Sequence, residues 1–193
     1  MKVKDFEVHL CERSEITKFI EEHHYSHNIN GCITDYCFKL VYNNEIIGAM
    51  FYGRMAMANQ WKRFGTEPED VIELRRLVCI DDTPRNTESY FIGSTLRYLK
   101  KNTKIKTVVS YADQEYGHSG IIYRASNFEY KGFKKGAKVI VYNGRQYHDK
   151  SIRTKYKGQL KPFAVELKNA LEQGNAYYKE TAGKHTYVYE LRK

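Results

Sequence analysis

Apolar residues fall along this chain in short runs of two different periods. From Arg13 to Glu22 they recur at helical spacing, with Ile16, Phe19 and Ile20 on one face and Ser14 placed to cap the first turn. His23 to Gly31 is loop-like. Tyr36 to Tyr42 and Glu45 to Tyr52 are β-branched and aromatic instead, and they flank Asn43-Asn44, a dipeptide suited to a tight hairpin turn. A longer strand is predicted over about Val71 to Asp81. The break Asp82-Thr83-Pro84 follows it. A helix is then expected from Asn86 to Lys101, with Tyr90, Leu96 and Leu99 inward and Lys100 and Lys101 at its negative end. Thr107 to Ala112 reads as a buried strand, Gly120 to Asn127 as a helix, and Phe128 to Phe133 as the lead into further strand. Val139 to Tyr142 is apolar, Pro162 to Gln173 is a helix with proline in its first turn, and Thr186 to Leu191 closes the chain as a strand. The order predicts a mixed α/β (α+β) layout.

At 193 residues, without a repeat, a low-complexity tract or a Pro/Gly-rich linker, residues 1–193 are expected to form a single domain. Hydrophobic content of 41% against 28% charged argues against wholesale disorder. No apolar run approaches the ~20 residues that span a bilayer, so a membrane partner is not expected. Met1 to Phe6 lacks the apolar stretch of a signal peptide, which favours a cytoplasmic protein. Cys11, Cys32, Cys37 and Cys79 are few for the length and would there be reduced, Cys79 as a buried thiol in Leu77-Val78-Cys79-Ile80.

The net charge of +9 matters once it is located. Residues 131–193 hold 15 Lys/Arg against 5 Asp/Glu, a net of +10, and residues 1–130 come to −1. A positive field confined to one region suggests a polyanion partner. A solvated basic face is the alternative. Lys134, Lys135, Arg145, His148, Lys150, Arg153, Lys155 and Lys184 are interleaved with Tyr147, Tyr156 and Tyr187. This basic-aromatic mix suits phosphates and sugars.

Two blocks carry candidate chemistry. In the first, Glu73 to Asp81 is a strand running through a loop into a helix that starts near Asn86. A helix N-terminus after a central strand offers free N–H groups to an anion such as a pyrophosphate, and Arg85 adds a bidentate donor. The alternative is an ordinary connection capped by Thr83 or Asn86. Ser89 sits in the first turns of that helix. Arg75 and Arg76 are expected to point to opposite faces of the strand, and a surface ion pair with Glu73 or Asp81 is the competing role. The second block starts at Ser110. Its Asp113 lies at a strand's C-terminal end, where α/β sheets bind ligands, or else caps the next turn. His118 is cap-like. The cluster His23-His24-Tyr25-Ser26-His27 offers an imidazole base, exposed loop histidines, or metal ligands. The Cys32-x4-Cys37 spacing is wider than a zinc knuckle, so no structural metal is expected.

The phrases ELRRL (73–77), TPRNTESY (83–90), SYADQEYGHSGIIYRASNFEYKG (110–132) and GKHTYVYEL (183–191) occur in that order. Together they resemble the Mom family of phage DNA-modification proteins over roughly residues 20–193. The segment Tyr123-x-x-x-Asn127-Phe128 and the turn that follows are similar to the last cofactor-binding segment of GNAT acyltransferases. The resemblance implies a GNAT-like mixed sheet, splayed and flanked by helices, with a basic C-terminal extension at 131–193. It implies acetyl-CoA or a related acyl donor, contacted by Arg76, Arg85, Asn86, Ser89 and Ser110, with iron suggested as well. The catalytic residues would be His24, Tyr25, Asp113 and Tyr123: His24 or Asp113 as base and Tyr123 as acid. The implied reaction transfers an acetamide-like (carbamoylmethyl) group to the exocyclic amine of adenine in double-stranded DNA. That would protect phage DNA from restriction inside a bacterial host. An enzyme acting there should flip the base onto aromatics, with Tyr25, Tyr36, Tyr52, Tyr111 and Tyr123 as candidates. The loop before the second helix lacks the usual Gly-x-Gly signature of GNAT enzymes. A GNAT acetylating a protein or small amine, and a DNA-binding protein that has lost transfer chemistry, are the competing readings. The oligomeric state is left open, a homodimer included.

Overall fold

The computed structural model describes residues 1–29, 31–57 and 59–192. Asn30, within the loop expected after the first helix, lies outside them. In chain order the elements are β1 (Glu7–Cys11), α1 (Arg13–His23), β2 (Tyr36–Tyr42), β3 (Glu45–Gly53), β4 (Val71–Cys79) and α2 (Thr87–Asn102). They continue with β5 (Thr107–Asp113), α3 (Ile121–Ala125), β6 (Glu129–Lys135), β7 (Lys138–Tyr142) and β8 (Arg145–His148). The last are β9 (Lys155–Tyr156), β10 (Gln159–Leu160), α4 (Pro162–Glu172), β11 (Ala176–Glu180) and β12 (Gly183–Glu190). They group into two compact units. Unit 1 is Met1–Ala112, His118–Gly132 and His185–Lys193, and unit 2 is Asp113–Gly117 and Phe133–Lys184. No linker rich in proline or glycine announces the division.

The large sheet runs β1-β2-β3-β4-β5-β12-β6. Side chains alternate across β3, so its two faces separate cleanly. Met50 and Tyr52 enter a core with Phe91, Ile92, Leu96 and Leu99 of α2, and Ala49 and Phe51 meet Ile16 and Ile20 of α1. Helices thus cover both faces. The Asn43-Asn44 hairpin forms as its residue types demand, with φ of 50° and 65°, the left-handed pair that matches strand twist. The cap of α1 differs from expectation. Glu12 rather than Ser14 is the N-cap, reciprocating with Glu15 in a capping box. β1 was not expected, because this edge strand alternates weakly and buries no residue fully. Cys79 and Cys11 are free thiols that burial pushes up to about 12, and Cys79 is only partly buried.

Unit 2 builds its own small core. The antiparallel sheet β11-β7-β8 carries Ile140 and Ala176 against Leu167 and Ala170 of α4, whose Pro162 sits in the first turn. β9 and β10 form a separate two-stranded ribbon. No helix of the described residues is long and apolar enough to cross a membrane.

Gly120 shows how tightly unit 1 is closed near α3. Its φ is +78°, and an added Cβ would lie 2.2 Å from the Tyr187 ring. Tyr187 is fully buried, donates to the Ser119 carbonyl at 2.6 Å and accepts from Arg124 at 3.2 Å. Gly120→Ala is expected to cost about 2–4 kcal/mol through backbone strain and overpacking. Urea denaturation checks this, and an unchanged midpoint would remove the constraint.

Candidate active site

The site begins with a defect in the sheet. β4 and β5 are parallel and pair only from Val71↔Thr107 to Leu74↔Ser110. β4 continues to Cys79 and β5 to Asp113, so the two strands part at their C-terminal ends. The Ser110 hydroxyl bonds the Leu74 carbonyl at 3.2 Å on the last joined rung. At the same level the β3–β4 register shifts. Phe51 faces Arg76 and Tyr52 faces Leu74, which leaves Arg75 as the extra residue of a bulge.

The bulge overturns the expectation that Arg75 and Arg76 face opposite ways. Arg75 donates to the Arg54 carbonyl at 2.7 Å and lies 4.0 Å from the Glu73 carboxylate. Arg76 pairs with Phe51, whose side chain packs among Ile16 and Ile20. Both guanidinium groups therefore lie on the α1 face, as Glu73 does. Arg76 donates to the Arg75 carbonyl at 2.8 Å. The Nε atoms of both arginines are buried without a hydrogen-bond partner among the described residues. Buried donors left this way are rare in folded proteins, and each calls for an acceptor such as a water or a ligand atom.

His24 follows the last turn of α1 and is buried at 4% exposure. The Ser26 backbone N–H donates to His24 Nδ1 at 3.1 Å. A backbone N–H can only donate, so Nδ1 is the acceptor and the ring proton sits on Nε2. Burial, then the charges of Arg76, His118 and His27, hold its pKa down to about 4. His24 is thus a neutral imidazole offering an Nε2–H, which suits hydrogen-bond donation better than proton removal at that atom. Tyr25 packs at a tilt against two imidazoles, with ring centroids 4.1 Å from His24 at 33° and 5.0 Å from His118 at 48°, and is 38% exposed. His118 therefore belongs to this cluster as well.

Tyr123 stands on α3, buried against Phe128 and Tyr187. Burial pushes its pKa up to about 12, and Ser110 hydrogen-bonds it while Tyr25 and Glu73 lie close enough to add to the field. Tyr111 is pushed up to about 12 as well, by burial and Glu73, and it accepts from Gln60 at 2.6 Å. Glu73 thus acts on both tyrosines. Sequence reasoning treated it only as an ion-pair partner, and only the bulge shows where it lies. Tyr36 is partly buried and Tyr52 is fully buried with its hydroxyl on Thr95, so Tyr52 offers no surface to a base.

At the start of α2, Asn86 adopts a left-handed conformation as N-cap with no side-chain cap bond. Thr83, Thr87 and Ser89 spend their hydroxyls on the carbonyls of Ile80, Pro84 and Asn86. The first-turn N–H groups are thus left without a side-chain cap, and Arg85 is exposed beside them. A cavity of about 600 Å3 lies elsewhere, over the N-terminal ends of β4 and β5, lined by Trp61, Tyr36, Met55 and Arg54 among others.

In unit 2, Asp113 caps the turn that follows it by accepting from the Glu115 N–H at 3.1 Å, and it pairs with Lys184 at 2.9 Å. All eight nominated basic residues are exposed. Arg153 is paired with Asp149 and Lys184 with Asp113, and His148 Nδ1 accepts from the Lys150 N–H. Among the described residues no group of three or more His, Cys, Asp or Glu is placed to hold a metal ion. His23 packs on Phe19, and His27 bonds the Glu21 carbonyl. The suggestion of iron is not supported by these positions.

The His24 protonation state is directly measurable. Its unfolded form takes up a proton near pH 6.5 and the folded form only near 4. Stability should therefore fall as pH drops from 6.5 toward 4 and be unaffected by this group above 6.5. In an NMR titration the His24 ring signals should stay flat from pH 8 to about 5. A midpoint near that of a free histidine would contradict the assignment.

The profile of the Mom protein family matches residues 5–193. The methylcarbamoylase mom of Escherichia phage Mu is 30% identical over 108 residues, covering 54% of this chain and 44% of that protein. The chain thus aligns with less than half the length of that curated relative. The ribosomal-protein-S5-alanine acetyltransferase of Vibrio fischeri superposes with a TM-score of 0.56 at 9% identity, covering 100% of this chain and 97% of that one. AAC(6')-Ib, solved in complex with ribostamycin and coenzyme A, superposes at 0.52 with 11% identity, over 68% of this chain and 87% of its own. The fold is that of the GNAT acetyltransferases. With the family match running from Asp5 to the last residue, the chain belongs to the Mom protein family.

Proposed function

We propose that this chain is a transferase that places an acetamide-like group on the exocyclic amine of adenine in double-stranded DNA. The observation that carries the reading is the parting of β4 and β5, with Ser110 on its last rung hydrogen-bonding Tyr123, and with Arg75 and Arg76 just beyond that rung on β4 carrying buried Nε atoms. The phage Mu relative's name as a methylcarbamoylase suggests the class of group.

An acyl-CoA-type donor fits the residues present. The uncapped N–H groups of α2 with Arg85, Asn86 and Ser89 suit its pyrophosphate, and the parted strands suit its extended arm. When bound, such a donor would supply the two-carbon unit of the group, whose amide nitrogen needs a separate amine source. The chain's residues do the rest. Tyr123 keeps its proton at neutral pH and can deliver it to the donor's leaving group as the bond to the adenine nitrogen forms. Arg75 and Arg76 present buried N–H donors to developing negative charge. His24 donates from Nε2 to orient the acceptor, and the partly exposed Tyr25 ring gives a flipped base a stacking surface. Asp113 enters as proton acceptor through the family motif alone. The exposed lysines and arginines of unit 2 are proposed to hold DNA phosphates.

The test is mass spectrometry of nucleosides from plasmid DNA of cells expressing the chain. A heavier deoxyadenosine is expected, absent with His24→Ala. Tyr123→Phe should reduce it by roughly 10²–10⁴-fold, the usual weight of a general acid. Wild-type activity in Tyr123→Phe removes the acid. Unmodified DNA from the well-folded protein would favour acetyl transfer to a protein or small amine, or DNA binding without chemistry.

A further inference from the structure

The β9–β10 ribbon is a protrusion that the core of unit 2 does not explain. Its strands pair Tyr156↔Gln159 and Lys155↔Leu160, joined by Lys157-Gly158 with φ of 49° and 82°. This two-residue left-handed turn holds a hairpin in register. The Lys161 N–H closes its base on the Thr154 carbonyl at 2.9 Å. Below it, Ile152 anchors the preceding turn to the cluster of Ile140 and Leu167, and Asp149 pairs with Arg153. The root is fixed, and the tip carries nothing that needs burial. Tyr156 is 65% exposed, with the Lys157 ammonium 5.5 Å from its ring. Residues 150–161 hold five Lys/Arg and no Asp or Glu.

Residues directly opposite in an antiparallel pair share a face. Tyr156 and Gln159 therefore stand side by side on one face. We propose that this ribbon enters the major groove of duplex DNA and reads bases there, with Gln159 on an adenine edge and Tyr156 against a neighbouring base or thymine methyl. Lys155 and Lys157 contact the bordering phosphates.

Shape and chemistry favour this occupant. Two strands ~4.8 Å apart with their side chains match a groove ~12 Å wide and are too broad for one of ~6 Å. The glutamine amide has the paired donor and acceptor that adenine N7 and N6 require. The proposal rests on duplex DNA being the partner in the reading above. It assigns the choice of sequence around the target to a different element from the one that carries the transfer chemistry.

The experiment is fluorescence anisotropy of the full chain on labelled duplexes, without donor, over a series of salt concentrations. The Lys155→Ala/Lys157→Ala double variant should weaken binding to every duplex and lower the slope of log K against log salt by about 2. Gln159→Ala and Tyr156→Ala should leave that slope unchanged. Each should weaken the preferred A·T-containing duplex by about 5- to 150-fold and shrink its advantage over a G·C-only duplex. Thermal melts should not move, since the substituted side chains are exposed. Variants that keep wild-type affinity, slope and preference, on a wild type that binds duplex, overturn the ribbon alone. A wild type with no salt-dependent duplex binding overturns the DNA reading itself. Equal competition by polyglutamate and by duplex would overturn groove recognition in favour of a general acidic partner.

Discussion

Four joined rungs between β4 and β5, followed by their parting, set the terms for everything else in unit 1. A parallel pair normally satisfies its backbone groups along its full length. Here the residues after Leu74 and Ser110 lose that partner strand in the middle of the sheet. Backbone N–H and C=O groups in such a place need other partners, and a bound ligand can supply them. At the same level the extra residue at Arg75 breaks the register of β4 against β3. It also turns two adjacent arginines onto one face, which a regular strand cannot do.

That crowding of positive charge shapes the chemistry around it. Arg76 lies close enough to His24 to add to the effect of burial, so the imidazole stays neutral and carries its proton on Nε2. Glu73 beneath it offsets part of the charge while raising the neighbouring tyrosines, which remain protonated. The result is a set of donors in a mostly buried setting, where hydrogen bonds to developing negative charge are stronger than in water. Unit 2 uses charge differently. Its lysines and arginines are exposed, and among the described residues Arg153, Lys179 and Lys184 are in ion pairs while most others are in none, an arrangement suited to a screened, long-range field rather than to a specific contact. The exposed tyrosine and glutamine on its ribbon add the short-range part.

Much of the fold was legible because the governing interactions are local. The Asn43-Asn44 hairpin, the start of α4 at Pro162 and the inward face of α2 each follow from residue type and spacing within a few positions. The strands that escaped, β1 and β8 to β11, are short and largely exposed, so no alternation of apolar residues marks them. The cap of α1 was misplaced by two residues because a reciprocal pair, Glu12 and Glu15, outcompeted the nearest serine.

The sequence by itself determined the fold class, the family through its four ordered phrases, and the concentration of positive charge after residue 130. It also carried the identities of His24, Tyr25 and Tyr123, since residue types and their order are properties of the chain alone. Tertiary structure decided what those residues can do. The tautomer of His24 depends on one backbone N–H two residues on, and its neutrality on burial and on an arginine of a distant strand. The shared face of Arg75 and Arg76 depends on how β3 and β4 are registered, and the importance of Glu73 on its closeness to two tyrosines from β5 and α3. Electrostatic and hydrogen-bond roles are set by neighbours in space, and pairing register and burial do not exist until the strands have met.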